Sequence, residues 1–284
     1  MPALITPFDR RGELDLDAHR HNIATLADEG IQGFVLGGST GEGPLLEQGE
    51  RRMLVEALRE TLGARPFVMV GVWAESVRQA LAQVAEADAA GADAVLVVTP
   101  TTLARRSVAV QVDYFESVAK RAGLPILLYS VPPNTGYALD LDATIALSQL
   151  ENIVGMKDSG SDAVRIQRII ESAPEGFFMF NGASRSITLA VIGGSHGVIT
   201  ASTNYVPRQI AELVTVARRS PQKSLRLQAG FTDVTSAVEA HGIPGVKAAA
   251  AAFGLRPGFP RLPLKPLSKA KARTVADRVT AFGR

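Results

Sequence analysis

The sequence predicts an α/β fold in which eight strand-plus-helix units close into a (β/α)8 barrel, followed by a C-terminal helical extension. Three observations lead there. Short apolar runs alternate with amphipathic segments at spacings of roughly 20 to 35 residues, the pattern of parallel βα units. The runs are apolar on both faces, as strands buried between helix layers are. Eight units in ~220 residues fit a closed barrel, with an open doubly wound sheet as the runner-up.

The expected strands are Ala3–Thr6, Gly33–Gly37, Phe67–Val72, Ala94–Thr99, Ile126–Ser130, Ile153–Lys157, Phe177–Asn181 and Gly197–Thr200. Helical periodicity fills the intervals at Asp15–Glu29, Glu47–Leu62, Glu75–Ala90, Ser107–Arg121, Asp140–Leu150, Asp162–Ser172, Ser184–Ile192 and Pro207–Arg219. Gly30, Gly63, Gly91 and Gly123 stand where left-handed C-caps belong. Beyond Arg219 the strand runs stop, and Ser220–Ala240, Pro244–Phe253 and Ser268–Phe282 read as helices, the last two joined by the proline-rich Pro257–Pro266. The expected division is a catalytic barrel over residues 1–219 and a helical extension over 220–284.

Composition narrows the function classes. With 46% hydrophobic residues the chain can bury a large core, and with no cysteine it forms no disulfide and uses no thiolate. A net charge of +2, with arginines spread rather than clustered with aromatics, leaves no nucleic-acid footprint. No apolar run approaches the ~20 residues that span a bilayer, and the N-terminus lacks a basic region before a long apolar one. The expectation is a cytoplasmic protein that binds neither nucleic acid nor membrane.

In a TIM barrel the active site lies at the C-terminal ends of the strands. Lys157 ends the apolar run Ile153–Met156, and Tyr129 ends the preceding one. A buried ammonium loses its proton more readily and becomes a nucleophile towards a carbonyl; a lysine at a strand end can instead snorkel to water. Its origin on the strand next to Tyr129 favours the first reading. The loop Gly37-Gly38-Ser39-Thr40-Gly41-Glu42-Gly43 offers backbone N–H groups and two hydroxyls to an anion, although tight-turn geometry alone also explains it. It is not a Walker loop, since no lysine follows the last glycine. Together, amine and loop suit a 2-oxo acid, held by its carboxylate and attacked at its ketone. Tyr129 would move protons, or merely cap the barrel mouth. Asp158 is expected to cap the following helix. His19, His21, His196 and His241 show no metal-like spacing. Arg105, Arg106 and Arg185 either face a distal carboxylate or stand in solvent.

Six stretches taken in order carry a resemblance over essentially the whole chain: Ala3-Leu4-Ile5-Thr6-Pro7-Phe8, Gly38-Ser39-Thr40-Gly41-Glu42, Val98-Thr99-Pro100, Tyr129-Ser130-Val131-Pro132, Gly155-Met156-Lys157 and Gly197-Val198-Ile199. They resemble the dihydrodipicolinate synthase / N-acetylneuraminate lyase family of Schiff-base aldolases and lyases. The resemblance implies a TIM barrel with C-terminal helices, a homotetramer or dimer, and no cofactor beyond a covalent Schiff base with pyruvate on Lys157. It makes Tyr129 the proton-transfer residue and gives Thr40 the hydroxyl bonded to that tyrosine. Ser39, Thr40 and Gly41 match the pyruvate-carboxylate loop, and Gly182 and Ile199 match positions lining the pyruvate pocket.

Two departures bear on the substrate. Asn134 stands where the synthases place an arginine for the carboxylate of aspartate semialdehyde, and Thr101-Thr102 stand where they carry a second tyrosine. An asparagine cannot reproduce the charged, bidentate grip of an arginine, worth roughly 1.5–3 kcal/mol. The stretches Tyr129–Gly136, Asn152–Gly160 and Gly242–Gly245 look closest to 4-hydroxy-2-oxoglutarate aldolases, with Ser159 joining Asn134 in the substrate pocket. The expected activity is therefore cleavage of a 4-hydroxy-2-oxo acid, such as 4-hydroxy-2-oxoglutarate, to pyruvate and an aldehyde. The alternatives are a 2-keto-3-deoxy sugar-acid aldolase, the synthase proper, against which both departures argue, and a non-catalytic 2-oxo-acid-binding paralogue.

Overall fold

The computed structural model describes residues 1–283, apart from the Arg106 side chain, so the expectation placed on that residue lies outside what is described. Seven strands form one sheet in sequential order: β1 (Gly33–Leu36), β2 (Phe67–Val72), β3 (Ala94–Val98), β4 (Ile126–Ser130), β5 (Ile153–Asp158), β6 (Phe178–Asn181) and β7 (Gly197–Val198). Every pairing is parallel, and the sheet curls as a half-barrel. Eight strands were expected. Over the first of them the chain makes two isolated parallel bridges instead of a ladder, Pro2 with Thr200 and Ala3 with Val35. Pro2 and Pro7 bracket this segment without N–H groups, which limits the bonds it can donate.

Two apolar clusters follow from the alternation of side chains along buried strands. Val35, Met69, Leu96, Leu127, Tyr129 and Ile199 point to the concave side. Their neighbours Phe34, Leu36, Val70, Val95, Val97, Ile126 and Leu128 pack outward beneath the helices. The sheet is apolar on both faces because both faces are covered.

The covering helices are α1 (Leu16–Asp28), α2 (Glu50–Leu62), α3 (Val77–Ala89), α4 (Val108–Ala119), a single turn α5 (Pro132–Thr135), α6 (Leu141–Leu147), α7 (Ala163–Ser172), α8 (Ile187–Ile192) and α9 (Pro207–Arg219). Asp15, Ser76, Ser107, Asp140 and Asp162 each accept a backbone N–H at a helix start, which fixes where α1, α3, α4, α6 and α7 begin. Gly30, Gly63 and Gly91 have the positive φ expected of them, and Gly123 does not. A Cβ there would come within 2.7 Å of the exposed Asp88 carboxylate, which would have to swing aside. Three further helices follow: α10 (Pro221–Glu239), α11 (Gly242–Phe253) and α12 (Lys269–Phe282). Helix α10 packs on α8 and α9, and α11 on α12. This brings the start of α11 over the C-terminal ends of the strands.

Candidate active site

The register of β4 and β5 sets Tyr129 beside Lys157. Strand β5 runs one residue further than expected, and its pleat turns Lys157 inward and Asp158 outward. Asp158 does not cap α7; that is done by Asp162. The wholly buried Asp158 carboxylate instead pairs with Arg165 Nε at 2.9 Å and accepts the Gly160 N–H at 2.7 Å. Arg165 also reaches the Leu139 carbonyl, so the outward side of β5 is locked while the inward side faces a cavity.

Lys157 is 2% exposed, and its Nζ lies 3.3 Å from the Tyr129 hydroxyl, to which it donates, and 4.3 Å from the Tyr129 ring centroid. Burial draws the ammonium down from 10.5 to about 7. Burial pushes the Tyr129 phenol up, with the Ser159 hydroxyl acting in the opposite direction. Near neutral pH the amine is therefore substantially uncharged while the phenol keeps its proton, an arrangement suited to carbonyl attack with proton transfer alongside.

Both groups open into a cavity of about 570 Å³ that also takes in Ser39, Thr40, Asn134, Ser159, Gly182 and Arg185. The amides of Ser39, Thr40 and Gly41 have no hydrogen-bond partner among the described residues, which leaves them free for an anion. Thr40 makes no side-chain bond to Tyr129 among the described residues, although both line the cavity. Gly41 and Ile199 lie behind the cavity wall: Gly41 accepts from the Thr6 hydroxyl at 2.7 Å, and Ile199 packs with Tyr129 in the concave cluster. The exposed Arg105 lies beside Gly136, away from the cavity lining.

Gly182 has a steric reason to be glycine. A Cβ there would overlap Ser159 Oγ and come within 2.8 Å of Lys157 Cε. Gly182→Ala is expected to leave the protein folded and to slow adduct formation with pyruvate by roughly 10²-fold, the scale of a 1 Å misplacement. Stopped-time reductive trapping measures it, and an unchanged rate would mean that the lysine is not held by this contact.

Three groups around the site had no role assigned to them from the sequence, although the Trp73-Ala74-Glu75 strand end stood out there as unusual. The Trp73 ring stands edge-on to Tyr129 at 6.2 Å, and its Nε1 donates to the Gly37 carbonyl at 3.1 Å, bracing tyrosine and loop together. As the single tryptophan, at a strand end, it was visible in the sequence. At Thr101-Thr102, where the synthases carry a second tyrosine, the Glu75 carboxylate accepts from the Thr101 N–H and hydroxyl and the Thr102 N–H, at 2.6–2.9 Å. Glu239 of α10 lines the cavity and accepts from the Ser184 hydroxyl at 2.5 Å. Burial raises its pKa, opposed by Ser184 and by the nearby Arg185.

Among the described residues no cluster of three or more His, Asp or Glu side chains has the geometry to hold a metal. His19 and His21 bond to the carbonyls of Leu54 and Gly254, and His196 accepts the Met179 N–H. No helix among these residues is long and apolar enough to cross a membrane.

The model of the dihydrodipicolinate synthetase family matches residues 1–282. The chain belongs to that family. Its members are enzymes that use a covalent lysine–pyruvate Schiff base and no external cofactor. A 4-hydroxy-tetrahydrodipicolinate synthase of Methanosarcina mazei is 31% identical over 287 residues, covering 100% of this chain and 97% of the relative. Another, from Nitrosospira multiformis, is 33% identical over 289 residues, covering 99% and 94%. Among solved structures, a dihydrodipicolinate synthase from Bacillus anthracis superposes with a TM-score of 0.93 at 27% identity, covering 100% and 97% of the two chains. One from Acinetobacter baumannii, solved with pyruvate, gives 0.91 at 25%, covering 99% and 97%.

These relatives overturn the activity expected from the sequence. Cleavage of 4-hydroxy-2-oxoglutarate is not what they are named for; the curated relatives cited are synthases. The reason is chemical. Cleavage and condensation pass through the same enamine, so a buried lysine beside a tyrosine suits either direction. The departures at Asn134 and Thr101 remove an arginine and a tyrosine found in the synthases, but the cavity still holds a cation, Arg185.

Proposed function

We propose that this protein forms a Schiff base between Lys157 and pyruvate and adds the resulting enamine to an aldehyde that carries its own carboxylate, as a 4-hydroxy-tetrahydrodipicolinate synthase. The observation that carries this reading is the buried amine of Lys157, 3.3 Å from the Tyr129 hydroxyl at the cavity wall.

Each step has a group to serve it. The uncharged amine attacks the pyruvate ketone, and Tyr129 supplies and recovers the protons as water leaves. The free amides of Ser39 and Thr40, with the two hydroxyls, hold the pyruvate carboxylate, and Gly41 behind them shapes the turn. The iminium then draws electrons from the methyl C–H bond, whose proton passes to the Tyr129 oxygen, giving an enamine. Its terminal carbon attacks the aldehyde carbon, and the aldehyde oxygen takes up that proton as the iminium re-forms. Arg185 takes the place of the absent arginine at position 134 in holding the aldehyde's carboxylate, with Asn134 offering an amide nearby. In this reading the segment over residues 2–6 acts as the eighth strand of a (β/α)8 barrel. Residues 1–219 are then the catalytic barrel, and 220–284 the helical extension that roofs it.

Incubation with pyruvate and aspartate semialdehyde tests the proposal. One-for-one consumption of both, with a product in which their carbon skeletons are joined, is the expected result. A pyruvate adduct on Lys157 with no consumption of the aldehyde would leave the Schiff base standing and reject the synthase.

A further inference from the structure

The substrate loop is tied down from a distance. Glu42 directly follows Ser39-Thr40-Gly41 and holds a left-handed backbone, φ 58°, unusual for a residue with a side chain. Its carboxylate is wholly buried, 2.7 Å from the ammonium of Lys247 on α11, and accepts the Arg261 N–H at 2.8 Å. Lys247 donates to the Thr6 carbonyl at 2.8 Å and to the Phe259 carbonyl at 2.6 Å. Thr6 in turn donates its hydroxyl to Gly41. Thus Lys247, more than 200 residues away in sequence, grips the loop on both sides: through Glu42, and through Thr6 to the carbonyl of Gly41. The same helix contributes Gly242, Ile243 and Val246 to the cavity wall.

The geometry points to Glu42 and Lys247 as positioning residues: their buried ion pair holds the Ser39–Gly41 loop in the form that takes a 2-oxo acid carboxylate, so the C-terminal helices set the affinity for pyruvate. This rests on the Schiff-base reading above. A charge pair in a dry interior is a poor way to gain stability alone, because apolar side chains of similar volume generally do as well. A left-handed, non-glycine backbone at Glu42 is a further strain that a stability role leaves unexplained.

Borohydride trapping titrated with pyruvate, on the full chain, tests it. In Glu42→Gln, and in the double variant Glu42→Leu with Lys247→Met, half-maximal trapping is expected at pyruvate concentrations at least roughly tenfold higher, the scale of one charged hydrogen bond. The maximal trapped fraction should stay near wild type, since Lys157 and Tyr129 are untouched. The apolar double variant separates the roles: a folded protein, melting as the wild type does, that still binds pyruvate poorly supports positioning. A double variant with unaltered pyruvate affinity overturns it, whatever its melting temperature. A wild type that traps no pyruvate overturns the functional reading itself and this inference with it.

Discussion

Lys157→Ala is expected to abolish the pyruvate adduct and to lower turnover by roughly 10⁴- to 10⁶-fold, the range seen when a covalent nucleophile is removed. Among the described residues the side chain makes a single hydrogen bond, to Tyr129, and it faces the cavity, so its removal should spare the fold. The same burial fixes the pH behaviour. In the wild type the fraction of uncharged amine, and with it the rate of Schiff-base formation, should rise through about pH 7 rather than near 10.5. Stability carries a matching signature. Between about 7 and 10.5 the unfolded chain keeps the lysine proton that the folded chain has lost, so folding stability should rise with pH across that window. In Lys157→Ala that contribution disappears. Circular-dichroism melts of both proteins at several pH values provide the comparison, and parallel curves would mean that the lysine is not held in its uncharged form.

Tyr129→Phe should be the next most damaging change, at about 10²- to 10⁴-fold in turnover. Phenylalanine preserves the ring, its edge-on contact with Trp73 and its place in the concave cluster, and deletes only the hydroxyl. The phenol keeps its proton because burial raises its pKa, so it acts by passing a proton rather than as a resident anion. Adduct formation should therefore slow in the variant without being lost at long times. Single-turnover kinetics would show this; a variant matching the wild type in rate would remove Tyr129 from the proton path.

Much of this was legible in the sequence, for reasons that differ by element. Apolar runs such as Val95–Val98 and Ile126–Leu128 can satisfy their backbone only within a covered parallel sheet, so they announced the strands to within a residue or so. Lys157 stood out because a lysine rarely ends such a run. The segment over residues 2–6 looked equally apolar yet makes only isolated bridges, since prolines limit its donors. Asp158 was expected to cap the following helix, but the extra residue of β5 includes it in the strand and the cap falls to Asp162. Lys247 escaped notice because nothing local marks it. It sits among alanines on a helix, and its burial against Glu42 is a contact across 205 positions. The direction of the reaction was misread for a related reason: the loss of an arginine at one position was weighed without the geometry that sets Arg185 and Glu239 in the same cavity.

The most direct measurement is mass spectrometry of the wild-type protein after borohydride treatment with pyruvate, followed by peptide mapping. The account predicts one pyruvate-derived increment per chain, located on Lys157. An adduct on another lysine, Lys247 included, or no adduct at saturating pyruvate, would contradict it.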